Sequence, residues 1–196
     1  MMTTDFSWHG ARLLLAAGLG LASLGAATVA EARPWAVDAK RSAITFSGQH
    51  VGKTFKGRFE AWQASIDFDP AKPEAAKVAV TIDLASAKTG EAMYDKTLPT
   101  ADWFDAAKVR QAKFTATKIT KTGGNAYVAD GTLAIRGKAV PVKLPFTLNI
   151  TGNTATMDGK VTLTRTAWGI GGGSDAKGEW VSLQIPVQVH VVATAK

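Results

Sequence analysis

The chain has 196 residues, 46% of them hydrophobic, and its 23 basic and 16 acidic side chains give a formal net charge of +7. That length suits one compact domain, since chains split into several only beyond roughly 250 residues. It contains no cysteine, which excludes a disulfide framework, a thiolate zinc site and a cysteine nucleophile.

Residues 1–32 read as an export signal. Arg12 precedes an uncharged run over residues 13–30, and Ala30-Glu31-Ala32 supplies the small-x-small pattern accepted for cleavage. Cleavage after Ala32 sends a domain of residues 33–196 to the periplasm. The alternative, a retained anchor, would use a run of 18 residues, near the lower limit for a span. Residues 33–196 carry 22 basic and 14 acidic side chains, a net of +8. The lysines are scattered singly, with no basic run and no nucleic-acid motif, so nucleic acid is not an expected partner. Weak attraction to anionic lipid headgroups fits that charge better.

From Trp35 the pattern has period two, the mark of strands with one buried face. Ile44, Phe46, Gly48 and His50 share one parity. After a turn at Gly52-Lys53, Phe55, Gly57, Phe59 and Ala61 share a face, and Trp62, Ala64, Ile66 and Phe68 continue with the parity shifted by one. Such a shift predicts a β-bulge near Ala61-Trp62, and bulges bend strands toward closure. Val78, Val80, Ile82 and Leu84 give the next strand. Residues 90–99 break the alternation and predict a short helix closed by Pro99, with Asp102 as N-cap of a following turn that carries Trp103 and Phe104.

Strands resume over residues 114–120, and Gly123-Gly124-Asn125 signals a hairpin. Residues 127–135 and 140–150 alternate in turn; Pro141 and Pro145 in the second predict an edge strand, or pairing on one side only. Residues 155–163, a glycine-rich connection at 169–173 and a final strand at 181–191 complete the chain. Seven to nine antiparallel strands with short turns predict an all-β protein, closed or nearly closed as a barrel, with a two-sheet sandwich as the alternative. An interior of about eight strands either fills with side chains or holds one small ligand.

No motif for a serine nucleophile, a metalloprotease or a phosphate-cradling loop is present. The expectation is therefore a non-enzyme with no catalytic residue, no metal and no cofactor. His50 and His190 lie on opposite strand parities, which does not suit a shared metal. Two polar residues fall on inward parities, His50 and Arg165. Each either sits structurally at the rim, Arg165 paired with Asp95 or Asp102, or meets the polar head of an amphiphile whose tail lies inside. Small residues on inward parities (Gly48, Gly57, Ala61, Ala129, Gly131, Ala155, Gly159) favour a cavity. Trp103 and Phe104 either line and cap that cavity or fill the core beneath a helix.

Taken in order, the segments W-A-V-D at Trp35, S-A-I-T-F-S-G-Q-H-V-G at Ser42, G-R-F-E-A-W at Gly57, I-D-F-D-P at Ile66, V-T-I-D-L-A-S at Val80 and L-P-T-A-D-W-F-D at Leu98 resemble the YceI-like family of bacterial exported proteins. G-T-L-A-I-R-G, V-K-L-P-F-T-L and R-T-A-W-G-I-G, starting at Gly131, Val142 and Arg165, complete the series. The resemblance covers essentially all of residues 33–196 and implies an extended lipocalin-like antiparallel barrel. It implies binding of a long amphipathic lipid, typically a polyisoprenoid or isoprenoid quinone; the alternative is a filled barrel acting through its surface as a non-carrier envelope interaction or stress-response protein. On the lipid-binding reading Phe46, Phe55, Phe59, Trp103, Phe104, Phe146 and Trp168 are expected along the tail, and His50, Arg165 and Asp95 near the head. The resemblance also implies a b-type cytochrome or other quinone-handling protein as a partner, and a homodimer is compatible with it. Two departures stand out. Family members often carry arginine where this chain has Tyr94, and proline before the phenylalanine matching Phe114, where this chain has Gln111-Ala112-Lys113.

Overall fold

A computed structural model describes residues 33–196. The proposed export signal at residues 1–32 lies outside the described residues. Eleven strands are formed: β1 (Arg33–Val37), β2 (Ala43–His50), β3 (Lys53–Phe59), β4 (Trp62–Phe68), β5 (Lys77–Asp83), β6 (Ala87–Lys88), β7 (Gln111–Gly123), β8 (Ala126–Ile135), β9 (Lys138–Thr151), β10 (Thr154–Thr164) and β11 (Gln184–Ala195). One short helix, α1 (Ala92–Thr97), interrupts them.

The strands reduce to eight walls. β1 and β2 run in one direction along the same side of β11, β1 against residues 193–195 and β2 against 187–190. β3 and β4 likewise form one bent strand, as do β5 and β6. β1 pairs with both β4 and β11, so the antiparallel sheet closes on itself. The result is a closed eight-strand barrel with one helix, and no strand is left as a full edge. The alternative of a two-sheet sandwich is thereby ruled out.

The irregularity expected at Ala61-Trp62 is a corner that begins one residue earlier. Glu60 and Ala61 leave the ladder, and Ser86 on the neighbouring wall receives them: its carbonyl accepts from Glu60 N and its Oγ from Ala61 N. Both walls bend together there, because the 3-10 turn Leu84–Ser86 divides β5 from β6 at the same level.

The two prolines of β9 sit where the ladder can spare them. Along β9, β8 is paired throughout residues 138–147, whereas β10 pairs only with 146–151. Leu148 N donates to Asn125 O on the β8 side, so the odd-numbered residues direct their N–H groups toward β10. Pro141 and Pro145 lack those groups. β9 is therefore paired on one side only over residues 138–145, and it is not an outer edge.

Inward-facing residues form two buried clusters stacked along the barrel. One gathers Trp35, Phe68, Ile119, Tyr127, Phe146 and Val191; the other gathers Phe46, Leu84, Phe104, Ile135, Trp168 and Ile170 at the end bearing α1. Indole N–H groups inside find carbonyls, Trp35 Nε1 at Phe68 O (3.0 Å) and Trp168 Nε1 at Leu133 O (3.0 Å), as burial of a donor requires.

Candidate functional site

The barrel interior is not filled. Three chambers lie in series along it, of about 180, 120 and 190 Å³. The deepest is lined solely by apolar side chains, among them Trp62, Phe68, Phe114, Phe146 and Met157. Ile44, Ile82, Leu133, Leu163 and Val187 border both the first chamber and the second. Phe55, Leu98, Trp103 and Val181 border both the second and the third, which opens beside α1. Together the chambers exceed the ~300 Å³ at which small-molecule sites begin.

The interior glycines do not create this space, contrary to the expectation from their small size. Gly57 lies directly opposite Phe46, and Gly48 opposite Phe55, across the β2–β3 ladder. A Cβ on Gly48 would stand 2.6 Å from the Phe55 ring, and one on Gly131 2.6 Å from the Phe114 ring. Gly48, Gly57 and Gly131 are each a seat for an aromatic ring folded over it, whereas a Cβ on Gly159 would meet Leu144 and the Phe146 Cβ. Ala129 and Ala155, by contrast, border the deepest chamber.

Every aromatic residue expected along a tail borders a chamber. Phe146 lines the first; Phe46, Phe59, Phe104 and Trp168 line the second; Phe55 and Trp103 stand between the second and third. The rings pack in a chain, with Phe59 5.2 Å from Phe46 and 6.0 Å from Phe104 between centroids.

The three residues expected near a head part company. His50 lines the third chamber at the end of β2, and its Nδ1 lies 2.8 Å from Tyr94 Oη. Tyr94, which stands where family members often have arginine, packs edge-on against both His50 and Phe55. Asp95 faces elsewhere: Oδ1 accepts from Thr89 N (2.7 Å) and Thr89 Oγ1 (2.8 Å), at an outer groove bordered by Lys56, Arg58 and Lys88. The Thr89 N–H bond chiefly holds its carboxyl below the ordinary value.

Arg165 is neither at the rim nor paired with Asp95 or Asp102. It is 3% exposed and bound to Asp175 Oδ2 at 2.7 Å. Its guanidinium also donates to the carbonyls of Ile170, Asp175, Val181 and Ser182, while its cationic face lies 5.4 Å from the Trp103 ring. Nearly all five donors are used. Burial lowers the guanidinium's affinity for its proton, and the charge of Asp175 opposes that. For Asp175, burial works against the carboxylate, but the N–H groups of Val181 and Trp180 and the charge of Arg165 outweigh it, and the pKa falls below 3.8.

Asp102 also departs from expectation. The turn carrying Trp103 and Phe104 is formed, but the Asp102 carboxylate does not cap it and crosses to the glycine-rich loop. Oδ1 accepts from Gly173 N (2.7 Å), and Oδ2 accepts from Ser174 N (3.0 Å) and Ser174 Oγ (2.5 Å). Arg136 ties the same two segments, donating to the carbonyls of Ala101, Asp102 and Gly169. The segment carrying Trp103 and Phe104 is thus clamped to the loop held by Arg165.

Sequence reasoning missed Asp175 as the Arg165 partner and Tyr94 as the partner of His50. An acidic residue inside an irregular glycine-rich loop carries no periodic signal. Tyr94 had one signal, the departure from arginine at its position. The two histidines are kept apart as their parities predict, His190 lying outside the barrel with Nδ1 2.7 Å from Asp158 Oδ1.

Comparison with known proteins accords with this architecture. A protein of Pseudomonas savastanoi pv. phaseolicola named UPF0312 protein is 34% identical over 138 residues, covering 69% of this chain and 70% of its own length. The crystal structure of Burkholderia cenocepacia BcnA matches with a TM-score of 0.78 at 35% identity, over 81% of this chain and 99% of that one. A polyisoprenoid-binding domain from Saccharophagus degradans matches with a TM-score of 0.64 over 84% of this chain and 99% of its own; at 15% identity that likeness is one of fold. The YceI-like domain pattern matches residues 35–193, and the chain therefore belongs to the YceI-like family.

Proposed function

We propose that this protein is a periplasmic binding and carrier protein for a long-chain amphipathic lipid, an isoprenoid before other classes, with the tail in the three chambers and the head at His50 and Tyr94. The observation that carries the proposal is a series of three largely apolar chambers inside the barrel, the outermost of which ends at the hydrogen-bonded side chains of His50 and Tyr94. Each buried CH₂ contributes about 0.8 kcal/mol, so a tail of many carbons outweighs the ordering cost of association without a strong polar contact. The fold neighbour named as polyisoprenoid-binding supports the tail class.

The mouth favours a head with a carbonyl or hydroxyl over one with phosphate. Phenol and imidazole serve as donor and acceptor, and Arg165 has its donors committed to Asp175 and backbone carbonyls. An isoprenoid quinone, with a quinone-handling membrane protein such as a b-type cytochrome as its source, is the narrower form of the proposal and rests on the family resemblance. The test is organic extraction of natively purified protein followed by mass spectrometry. A stoichiometric prenyl lipid is expected; protein free of lipid and unable to take up a prenyl quinone from detergent would overturn the proposal.

A further inference from the structure

Among the described residues four large apolar side chains stand out to solvent, and three of them gather at one place. Val51 (61% exposed), Met93 (63%) and Trp180 (59%) surround the outer end of the third chamber, while Ile150 lies near the opposite end of the barrel. Val51 follows His50 and Trp180 precedes Val181, both of which line that chamber, and Met93 lines it directly. Val51 N donates to Trp180 O at 2.9 Å, fixing the two side by side.

Val51 is also conformationally out of place. It has φ +49 and is followed by Gly52 at +75, the pattern of a tight hairpin turn in which the first position ordinarily takes Asn, Asp or Gly. A β-branched residue with positive φ is an outlier. Here the strained backbone presents an apolar side chain to solvent, where it makes no core contact, so packing does not account for it. Strain of this kind concentrates at functional surfaces.

The charge of the barrel as a whole points to an anionic surface. Within three residues of the apolar side chains Lys53, Lys96 and Lys177 are balanced by Glu91, Asp95 and Glu179, and the attraction comes from the barrel's net +8, from 22 basic and 14 acidic residues. A second copy of this chain is a poor occupant. Three side chains form a patch well below the ~800 Å² per partner that a stable interface needs, and two barrels each of net charge +8 repel one another. Tryptophan beside methionine and valine, on a barrel of positive net charge, suits the boundary between headgroups and acyl chains.

We infer that this rim docks the protein on an anionic phospholipid bilayer, with Trp180, Met93 and Val51 at the headgroup–acyl boundary and the third chamber opening toward hydrocarbon. The purpose of docking, direct passage of a lipid tail, rests on the function proposed above; the docking itself is measured without it.

The experiment uses the chain from Arg33 on, which contains every strand of the closed barrel. The protein is expected to sediment with vesicles of phosphatidylcholine and phosphatidylglycerol, with its tryptophan emission quenched by acyl-brominated lipid. The double variant Val51→Asn/Trp180→Ser should lose about tenfold or more in partitioning and lose the quenching, while its melting temperature holds, because Asn tolerates the positive φ. A wild-type protein that ignores the vesicles, a variant that binds them equally, or a variant whose only change is loss of a dimer would overturn the inference. Uptake of a prenyl quinone from detergent micelles separates the two proposals. Uptake retained by the variant supports docking as a distinct function. Its absence from the wild type would sink the carrier proposal and leave the vesicle result readable.

Discussion

Replacing Arg165 by methionine separates a structural from a headgroup role. The substitution keeps most of the side-chain volume and removes every donor. It leaves the Asp175 carboxylate, 4% exposed, without its cation, and takes a donor from the carbonyls of Ile170, Asp175, Val181 and Ser182. Breaking a buried ion pair on one side costs about 3–5 kcal/mol. At about 2–4 °C per kcal/mol for a domain of this size, melting should fall by roughly 6–20 °C. Two N–H donors remain on Asp175, from Trp180 and Val181, which places the expected loss toward the lower end. The double variant Arg165→Met/Asp175→Leu should recover part of it, because no unpaired charge is then buried. Urea unfolding of wild type, Arg165→Met, Asp175→Leu and the double variant closes the cycle. A loss under about 1 kcal/mol, accompanied by release of bound lipid, would refute the structural assignment and return Arg165 to the head.

Three further outcomes follow from the same geometry. Gly57→Val drives a side chain into the Phe46 ring seated on it and should cost about 1–3 kcal/mol by overpacking; Phe46→Leu added to it should restore part of the loss, and simple additivity in urea melts would contradict the ring-on-glycine account. Asp175 and Asp102 both have pKa values below the ordinary 3.8, so their stabilisation is complete above the unfolded value and is lost as pH falls through the folded ones. The urea midpoint should therefore drop below about pH 4, and Asp175→Asn should flatten that drop; an equally steep drop in the variant would remove Asp175 from the account. Tyr94→Phe deletes the hydrogen bond to His50, worth about 0.5–1.5 kcal/mol. It should weaken binding of a prenyl quinone while leaving a headless prenyl hydrocarbon unchanged, and Tyr94→Arg should shift preference toward a prenyl phosphate. Equal effects on both ligands, by fluorescence titration, would place the head elsewhere.

The barrel was legible because its determinants are local. Alternation at Tyr127, Ala129, Gly131, Leu133 and Ile135 needs only one strand to reveal one inner face, and the glycine-asparagine turns fix the antiparallel order. The prolines of β9 announced half-pairing for the same reason, a missing N–H being a property of the residue itself. The end of the barrel bearing α1 was not legible. Arg165 binds Asp175 ten residues away through a loop of irregular backbone, and Asp102 reaches Gly173 and Ser174 across the barrel mouth. No periodicity encodes such contacts. Glycine misled for a subtler reason: a missing side chain at Gly57 reads as space until the ring of Phe46 on the facing strand is known to occupy it.

Trp103 decides whether the chambers act as one site. Its indole stands between the second and third chambers, whereas the residues bordering both first and second are smaller aliphatic side chains. The backbone around Trp103 is held from two sides, by Asp102 to the glycine-rich loop and by Arg136 to Ala101 and Asp102. A lid swinging as a body would have to break these bonds together. Rotation of one indole breaks none of them; it forfeits its stacking on Arg165, about 0.5–2 kcal/mol, and its packing against the core cluster of Phe46, Phe104 and Trp168. A tail crossing from mouth to core offsets the stacking loss with about two buried CH₂ groups and takes over the packing contacts. Passage is therefore expected to be gated by the Trp103 side chain within a fixed frame. Trp103→Ala should speed prenyl-quinone exchange in stopped-flow measurements several-fold more than Asp102→Ala does, although the latter frees the loop. A larger acceleration in Asp102→Ala would assign the gate to movement of the whole segment.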